Sequence, residues 1–177
     1  KKYVSTTGSP MYYAARIAKK KHPDAKIVFV GPCVAKRKEA QRDEAVDFVM
    51  TFEEISSIFD AMEVNLEIVQ PYAMEFSSVR EAHGFAQAGG VMGAVKAFLK
   101  MEADKINAVQ VSDLNKKNIA ALRAYAKTGK APGQFIEVMA CEGGCITVPS
   151  THSGSKSGKW QLSQELTKQT KTYENME

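Results

Sequence analysis

The sequence predicts an α/β fold in which largely parallel sheets are flanked by helices. Three observations carry that prediction. Short apolar runs rich in Val, Ile and Phe (KIVFVG, VDFVMT, NAVQVSD and GQFIEVMA) recur along the 177 residues. Segments with helical periodicity lie between them, and helix-starting and helix-stopping residues fall at the joints. Strands that alternate with helices pack most simply as parallel sheets covered by those helices.

Each element has its own local reason. MYYAARIAKKK, residues 11–21, reads as a helix, with Pro10 suited to its first turn. KIVFVG is a continuous apolar run after a Pro-Asp turn signal, as a buried strand requires. Pro32 and Cys33 follow it, then the charged segment AKRKEAQRDEA as a short helix and VDFVMT as a second strand. Thr51–Met62 is a helix opened by a capping box of Thr51 and Glu54, with Phe52, Ile55, Phe59 and Met62 on one face. Residues 63–75 are ambiguous, a helix followed by a loop. Gly89 and Gly90 open a helix over VMGAVKAFL, with Val91, Val95 and Phe98 facing inward. NAVQVSD is a strand whose closing Ser-Asp is placed to cap the helix LNKKNIAALRAYAK, which Gly129 and Pro132 stop. GQFIEVMA is a strand leading into MACEGGC. The polar tail, residues 150–177, is expected to be mobile over STHSGSKSGK and to end in a marginal helix. No internal repeat is present.

Composition narrows the classes of function. The chain is 44% hydrophobic and 25% charged, ordinary for a globular protein, and its net charge of +4 is mild. Its densest basic run, RIAKKKHPDAK, reads as the solvated side of a helix, which argues against nucleic-acid binding. No apolar stretch is long enough to span a membrane, and no signal-peptide pattern is present. The opening KKYVSTTGSP carries no initiator Met, so the sequence is expected to be a piece of something longer.

The three cysteines are an odd number, which suggests thiols, a metal or a cluster more than a disulfide framework. Cys33 lies just past the carboxyl end of one predicted strand and Cys141 just past that of another. In open α/β sheets ligands collect at that edge. Cys145 would join them if Gly143 and Gly144 fold the turn back, and glycines also let the backbone approach a bulky group. Alternatives stand beside this. Cys33 taken alone reads as a small buried hydrophobe. Structural zinc takes four ligands, and iron–sulfur clusters take four thiolates as a rule, so both are one ligand short. His22 and His152 lie in polar loops, and His83 reads as a surface or supporting residue.

Four motifs in order then resemble the iron-only (FeFe) hydrogenases. VGPCVAKRKEA resembles their Pro-Cys-x-x-Lys-x-x-Glu signature, and FIEVMACEGGC their Glu-x-Met-Ala-Cys-x-Gly-Gly-Cys signature. VSTTGSPM is similar to the segment after their first cysteine signature, and GFAQAGGVMGAV to the helix entry between the other two. The resemblance implies that residues 1–149 are a fragment of the catalytic domain, in one or two lobes. The implied cofactor is the H-cluster: a 4Fe-4S cluster joined through a cysteine sulfur to a di-iron subcluster carrying CO, cyanide and a dithiolate. It implies Cys33, Cys141 and Cys145 as metal ligands, with Cys145 bridging. Lys36 would donate a charge-assisted hydrogen bond to a cyanide, Pro32, Phe85 and Met139 would line the di-iron pocket, and Ser5 matches a serine of the proton path. The implied partners are ferredoxin or another iron–sulfur electron carrier, with dihydrogen and protons as substrates, in a cytoplasmic oxidoreductase. Judged singly, Phe85 and Met139 read as core, Ser5 as a turn residue, and Lys36 with Glu39 as a solvated pair.

Departures from the family pattern accompany the match. The first signature would lie upstream of Lys1, so the fragment alone is expected to be inactive and to hold at most an incomplete cluster. Gly31, Met11 and Ala86 stand where many relatives have Met, Gln and Gly, and ITVPSTHS follows Cys145 where a Gly-rich segment is common. These changes resemble a divergent branch of the family. A cluster-assembly protein and a hydrogen or redox sensor are the competing functions, and a zinc-bound structural module is a fourth reading.

Overall fold

The fold was described from a computed structural model covering residues 2–72, 78–152 and 154–175. The elements follow in order as α1 (Pro10–Lys21), β1 (Val28–Val30), α2 (Ala35–Ala40), β2 (Phe48–Met50), α3 (Phe52–Ala61), α4 (Arg80–His83), α5 (Gly90–Leu99), β3 (Ala108–Ser112), α6 (Lys116–Thr128), β4 (Phe135–Met139) and α7 (Ser155–Lys168). Short 3-10 turns cover Gly84–Ala86, Lys100–Lys105 and Cys145–Thr147. The chain divides into two compact units: Lys1–Pro71 with Pro149–His152, and Tyr72–Val148 with Ser153–Glu177. Among the described residues each holds one two-stranded parallel sheet, β1 with β2 and β3 with β4. The expected α/β class with short parallel sheets between helices is therefore present.

In the first unit, the core gathers Met11 and Ala15 of α1 with Val46, and Ile27, Phe29, Ala40, Ala45 and Val49 pack around them. Ser9 caps α1 by accepting from the Tyr12 N–H at 3.2 Å, and Pro10 takes the first helical position. At α3 the capping box is reciprocal: the Thr51 N–H donates to Glu54 at 2.7 Å and the Glu54 N–H to the Thr51 hydroxyl at 3.2 Å. The expected inward face of α3 is only half realised. Ile55 and Phe59 are half-buried, whereas Phe52 and Met62 are exposed.

Carboxylates tie this unit together electrostatically. Asp47 receives the Ile27 N–H at 2.8 Å and the Lys26 ammonium at 2.9 Å, which lower its pKa from 3.8 to about 2. Asp43 is held below its ordinary value chiefly by Arg16, whose guanidinium lies 2.7 Å away. A depressed carboxylate pKa stabilises the fold above the unfolded-state pKa, and that stabilisation is lost as pH falls through the folded-state value. The urea midpoint is thus expected to hold down to about pH 5 and to drop steeply between about pH 4 and 2. Asp47→Asn should be less stable at neutral pH and shallower across that window; an unchanged acid slope in circular dichroism melts would contradict the assignment.

The second unit is where the structure departs most from the sequence reading. The cap of α6 is Asn115, which accepts from the Asn118 N–H at 2.9 Å, rather than the Ser112-Asp113 pair. Asp113 instead takes φ 77° in the connecting turn, and its backbone continues the β4 ladder by donating to Met139 O at 3.0 Å. On α5 the buried residue is Ala94, while Phe98 is 67% exposed and meets the Tyr173 ring edge-on at 5.6 Å. Residues 63–72 form turns and loop without a helix; residues 73–75 of that stretch lie outside the described residues. Within the tail, α7 begins inside STHSGSKSGK, and the irregular segment beyond it docks on α4 through the Arg80 N–H to Lys171 O at 2.7 Å. Among the described residues no helix is long and apolar enough to cross a membrane.

Candidate functional site

Strand β1 ends at Val30, and the chain turns through Gly31 and Pro32 to bring Cys33 to the carboxyl edge of its sheet. Gly31 N–H donates to Met50 O at 3.0 Å, fixing the start of that turn, and Cys33 O accepts from the Lys36 N–H at 3.1 Å as α2 begins. Pro32 and Cys33 are half-buried. Lys36 lies on the first turn of α2 with its ammonium 2.6 Å from Glu39. The Ser9 hydroxyl also donates to Glu39. Burial pushes Glu39 upward, but the bonds from Lys36 and Ser9 outweigh it, and its carboxyl ends below the usual range. Ser5 is exposed, its hydroxyl accepting from the Thr7 N–H at 3.1 Å, the geometry of a turn residue.

In the second unit, Cys141 follows β4 by two residues. Gly144 N–H donates to Cys141 O at 3.2 Å, closing the turn that carries Cys145 back. Gly143 and Gly144 have φ of 79° and 94°, a region that favours glycine. Neighbouring backbone also needs the space at Gly144: a Cβ there would fall 2.6 Å from Ala86 O and 2.7 Å from Ala88 N. This clearance serves the protein's own packing, an antiparallel bridge between Gln87 and Gly144 with the Ala88 N–H donating to Gly143 O at 3.2 Å. Phe85, half-buried in the 3-10 turn Gly84–Ala86, therefore belongs to a segment stitched to the cysteine turn. Met139, also half-buried, pairs with Ser112 across the sheet.

Three further residues hold this arrangement: Glu137, which opens the Glu-x-Met-Ala-Cys motif, Ser112, expected only as part of the α6 cap, and Thr147. Glu137 is 5% exposed, and its carboxylate accepts from the Gly89 N–H at 2.8 Å and the Met92 N–H at 2.7 Å. Because α5 has no side-chain cap of its own, Glu137 supplies one from β4, placing negative charge at the positive end of the helix. Ser112 accepts the Gly143 N–H at 3.1 Å. The Thr147 hydroxyl donates within the turn to Glu142 O and Gly144 O. For Glu137 the available signal was a charge inside the apolar run FIEVM.

None of the three cysteines is in a disulfide; Cys141 is exposed, and Cys33 and Cys145 are half-buried. Among the described residues no three His, Cys, Asp or Glu side chains are grouped to hold a single metal ion. Ligands of a cluster bind different iron atoms and stand farther apart than those of one ion. The donor set fits a cluster in kind: soft thiolates, two of them at the ends of one backbone-fixed turn. His22, His83 and His152 are all exposed, with His152 Nε2 set 3.1 Å from Phe52 O.

The family model described as "Iron only hydrogenase large subunit, C-terminal domain" matches residues 1–149, which include all three cysteines. The chain belongs to this family. A cytosolic Fe-S cluster assembly factor, narfl, of Danio rerio is 28% identical over 193 residues, covering 81% of this chain and 47% of the relative. The chain thus spans about half the length of that curated relative. Among solved structures, HydA(deltaEFG), described as revealing stepwise [FeFe]-hydrogenase H-cluster assembly, aligns with a TM-score of 0.60 and 23% identity, covering 93% of this chain and 60% of the other. That likeness establishes a shared fold, and α7 lies beyond the residues that the family match covers.

Proposed function

We propose that this chain is part of an iron-only hydrogenase catalytic domain, in a parent protein that reversibly interconverts protons, electrons and dihydrogen. The observation that carries the reading is the family match over residues 1–149, a range that contains Cys33, Cys141 and Cys145. The strand ends support it, since Cys33 and Cys141 each follow the carboxyl end of a parallel strand. On this reading Cys33, Cys141 and Cys145 would hold the cluster, and Cys145 would also serve the di-iron subcluster. Pro32, Phe85 and Met139 shield that subcluster, Ser5 belongs to a proton path, and Lys36 supplies a fixed cation. When bound, the H-cluster supplies the redox and hydrogen chemistry, and the protein supplies orientation, charge and exclusion of water. Glu39 and Ser9 set where the Lys36 charge sits. Ferredoxin or another iron–sulfur carrier delivers the electrons, in the cytoplasm. With three cysteines this chain alone offers one thiolate fewer than a four-cysteine cluster takes, so by itself it is expected to hold iron weakly and to turn over no hydrogen.

The assembly-factor relative favours a second reading, a non-catalytic iron–sulfur protein. The closed Lys36–Glu39–Ser9 network is compatible with it, since Lys36 is satisfied without a cyanide ligand. Infrared spectroscopy of the full-length protein, matured with the di-iron cofactor, separates the two. CO and cyanide stretching bands are expected for the hydrogenase; a cluster without those bands would replace it by the assembly reading.

A further inference from the structure

We infer that Lys159 is a positioning residue of the cysteine turn, a cation set over Gly143 that favours the reduced state of a cluster held by Cys141 and Cys145. This rests on the cluster reading proposed above. Helix α7 packs on the Cys145–Thr147 turn, and its Gly158 is buried, so the helix backbone comes close to the turn. The next residue, Lys159, extends across it. A Cβ placed on Gly143 would lie 3.1 Å from the Lys159 Nζ and 3.2 Å from its Cε. Lys159 also borders an open cavity of about 560 Å³ with Glu142, Gly143, Ser112 and Asp113. Among the described residues Lys159 forms no ion pair, and neither carboxylate on that border, Glu142 or Asp113, pairs with it.

Gly143 stands two residues from each cysteine, so the ammonium lies on the order of 10 Å from both sulfurs. Reduction adds one electron and one negative charge to the cluster, with no atom exchanged, and a nearby cation stabilises the more negative state. At roughly 10 Å a unit charge shifts a one-electron equilibrium by about two- to sixteen-fold between bulk-water and protein-surface dielectric. Lys159 is exposed, so the shift should shrink in high salt.

The test is a potentiometric titration with dithionite and mediators, read by electron paramagnetic resonance, on full-length protein reconstituted anaerobically with iron and sulfide. Lys159→Met should lower the midpoint, Lys159→Glu should lower it further, and Lys159→Arg should leave it near wild type, with the differences compressed in 1 M salt. Wild-type midpoints in the Met and Glu variants at full iron content would overturn the inference alone. So would an Arg variant that behaves like the Glu variant, since that marks a packing role. A wild-type protein that takes up no cluster would overturn the proposed function and this inference together.

Discussion

Replacing Glu137 with alanine is expected to destabilise the second unit by about 3 kcal/mol and to release the cysteine turn from its support. The substitution removes two short charge-assisted hydrogen bonds and leaves the Gly89 and Met92 N–H groups without an acceptor in a partly buried setting. Bonds of this kind contribute about 1.5–3 kcal/mol each, and an unsatisfied buried donor carries its own desolvation penalty. Glu137→Gln can accept only one of the two N–H groups through its oxygen, so an intermediate loss of about 1–2 kcal/mol is expected. Urea midpoints measure the global effect. Hydrogen exchange locates it: the Gly89, Met92 and Ala88 amides should exchange faster in Glu137→Ala while those of β1 and β2 keep their rates. Wild-type midpoint and exchange in the alanine variant would show that α5 does not depend on this carboxylate.

The chain of contacts gives that substitution a reach beyond α5. Glu137 holds the Gly89–Met92 helix entry, Ala88 and Gln87 bond to Gly143 and Gly144, and Ser112 holds the Gly143 N–H from the opposite strand. Strand, helix entry and cysteine turn form one connected piece of backbone. On the proposed cluster reading, loss of the carboxylate should therefore weaken iron binding at Cys141 and Cys145 without touching either sulfur.

The parts of this arrangement that were legible in the sequence are those with local causes. The capping box at Thr51 and Glu54, the Pro10 helix start and the apolar runs of β1 and β4 each depend on residues within a few positions of one another. The positions of Cys33 and Cys141 after strand ends are legible for the same reason. What failed to read depends on contacts distant in sequence or on competing local options. Asp113 and Asn115 are both able to cap α6, and the positive φ at Asp113 decides between them. Phe98 follows the helical period toward the inside, yet Tyr173, 75 residues later in number, meets its exposed ring. Glu137 acts across about 45 residues, and Lys159 reaches the turn only because α7 folds back on it. At Gly143 and Gly144 the turn folds back as expected, with φ of 79° and 94°, and the close packing of the Ala86–Ala88 backbone on Gly144 is a further long-range contact that the motif does not reveal.

The largest chemical effect is expected from the cysteines themselves. Serine keeps the size of cysteine but is a hard, weakly acidic donor that iron–sulfur clusters hold poorly. The measurement that bears most directly on the account is iron and acid-labile sulfide per chain in full-length protein reconstituted without oxygen, for Cys33→Ser, Cys141→Ser and Cys145→Ser. Each variant is predicted to lose about four irons relative to wild type, as one shared 4Fe-4S centre requires. A Cys33→Ser protein that keeps its full iron while the other two lose theirs would contradict it.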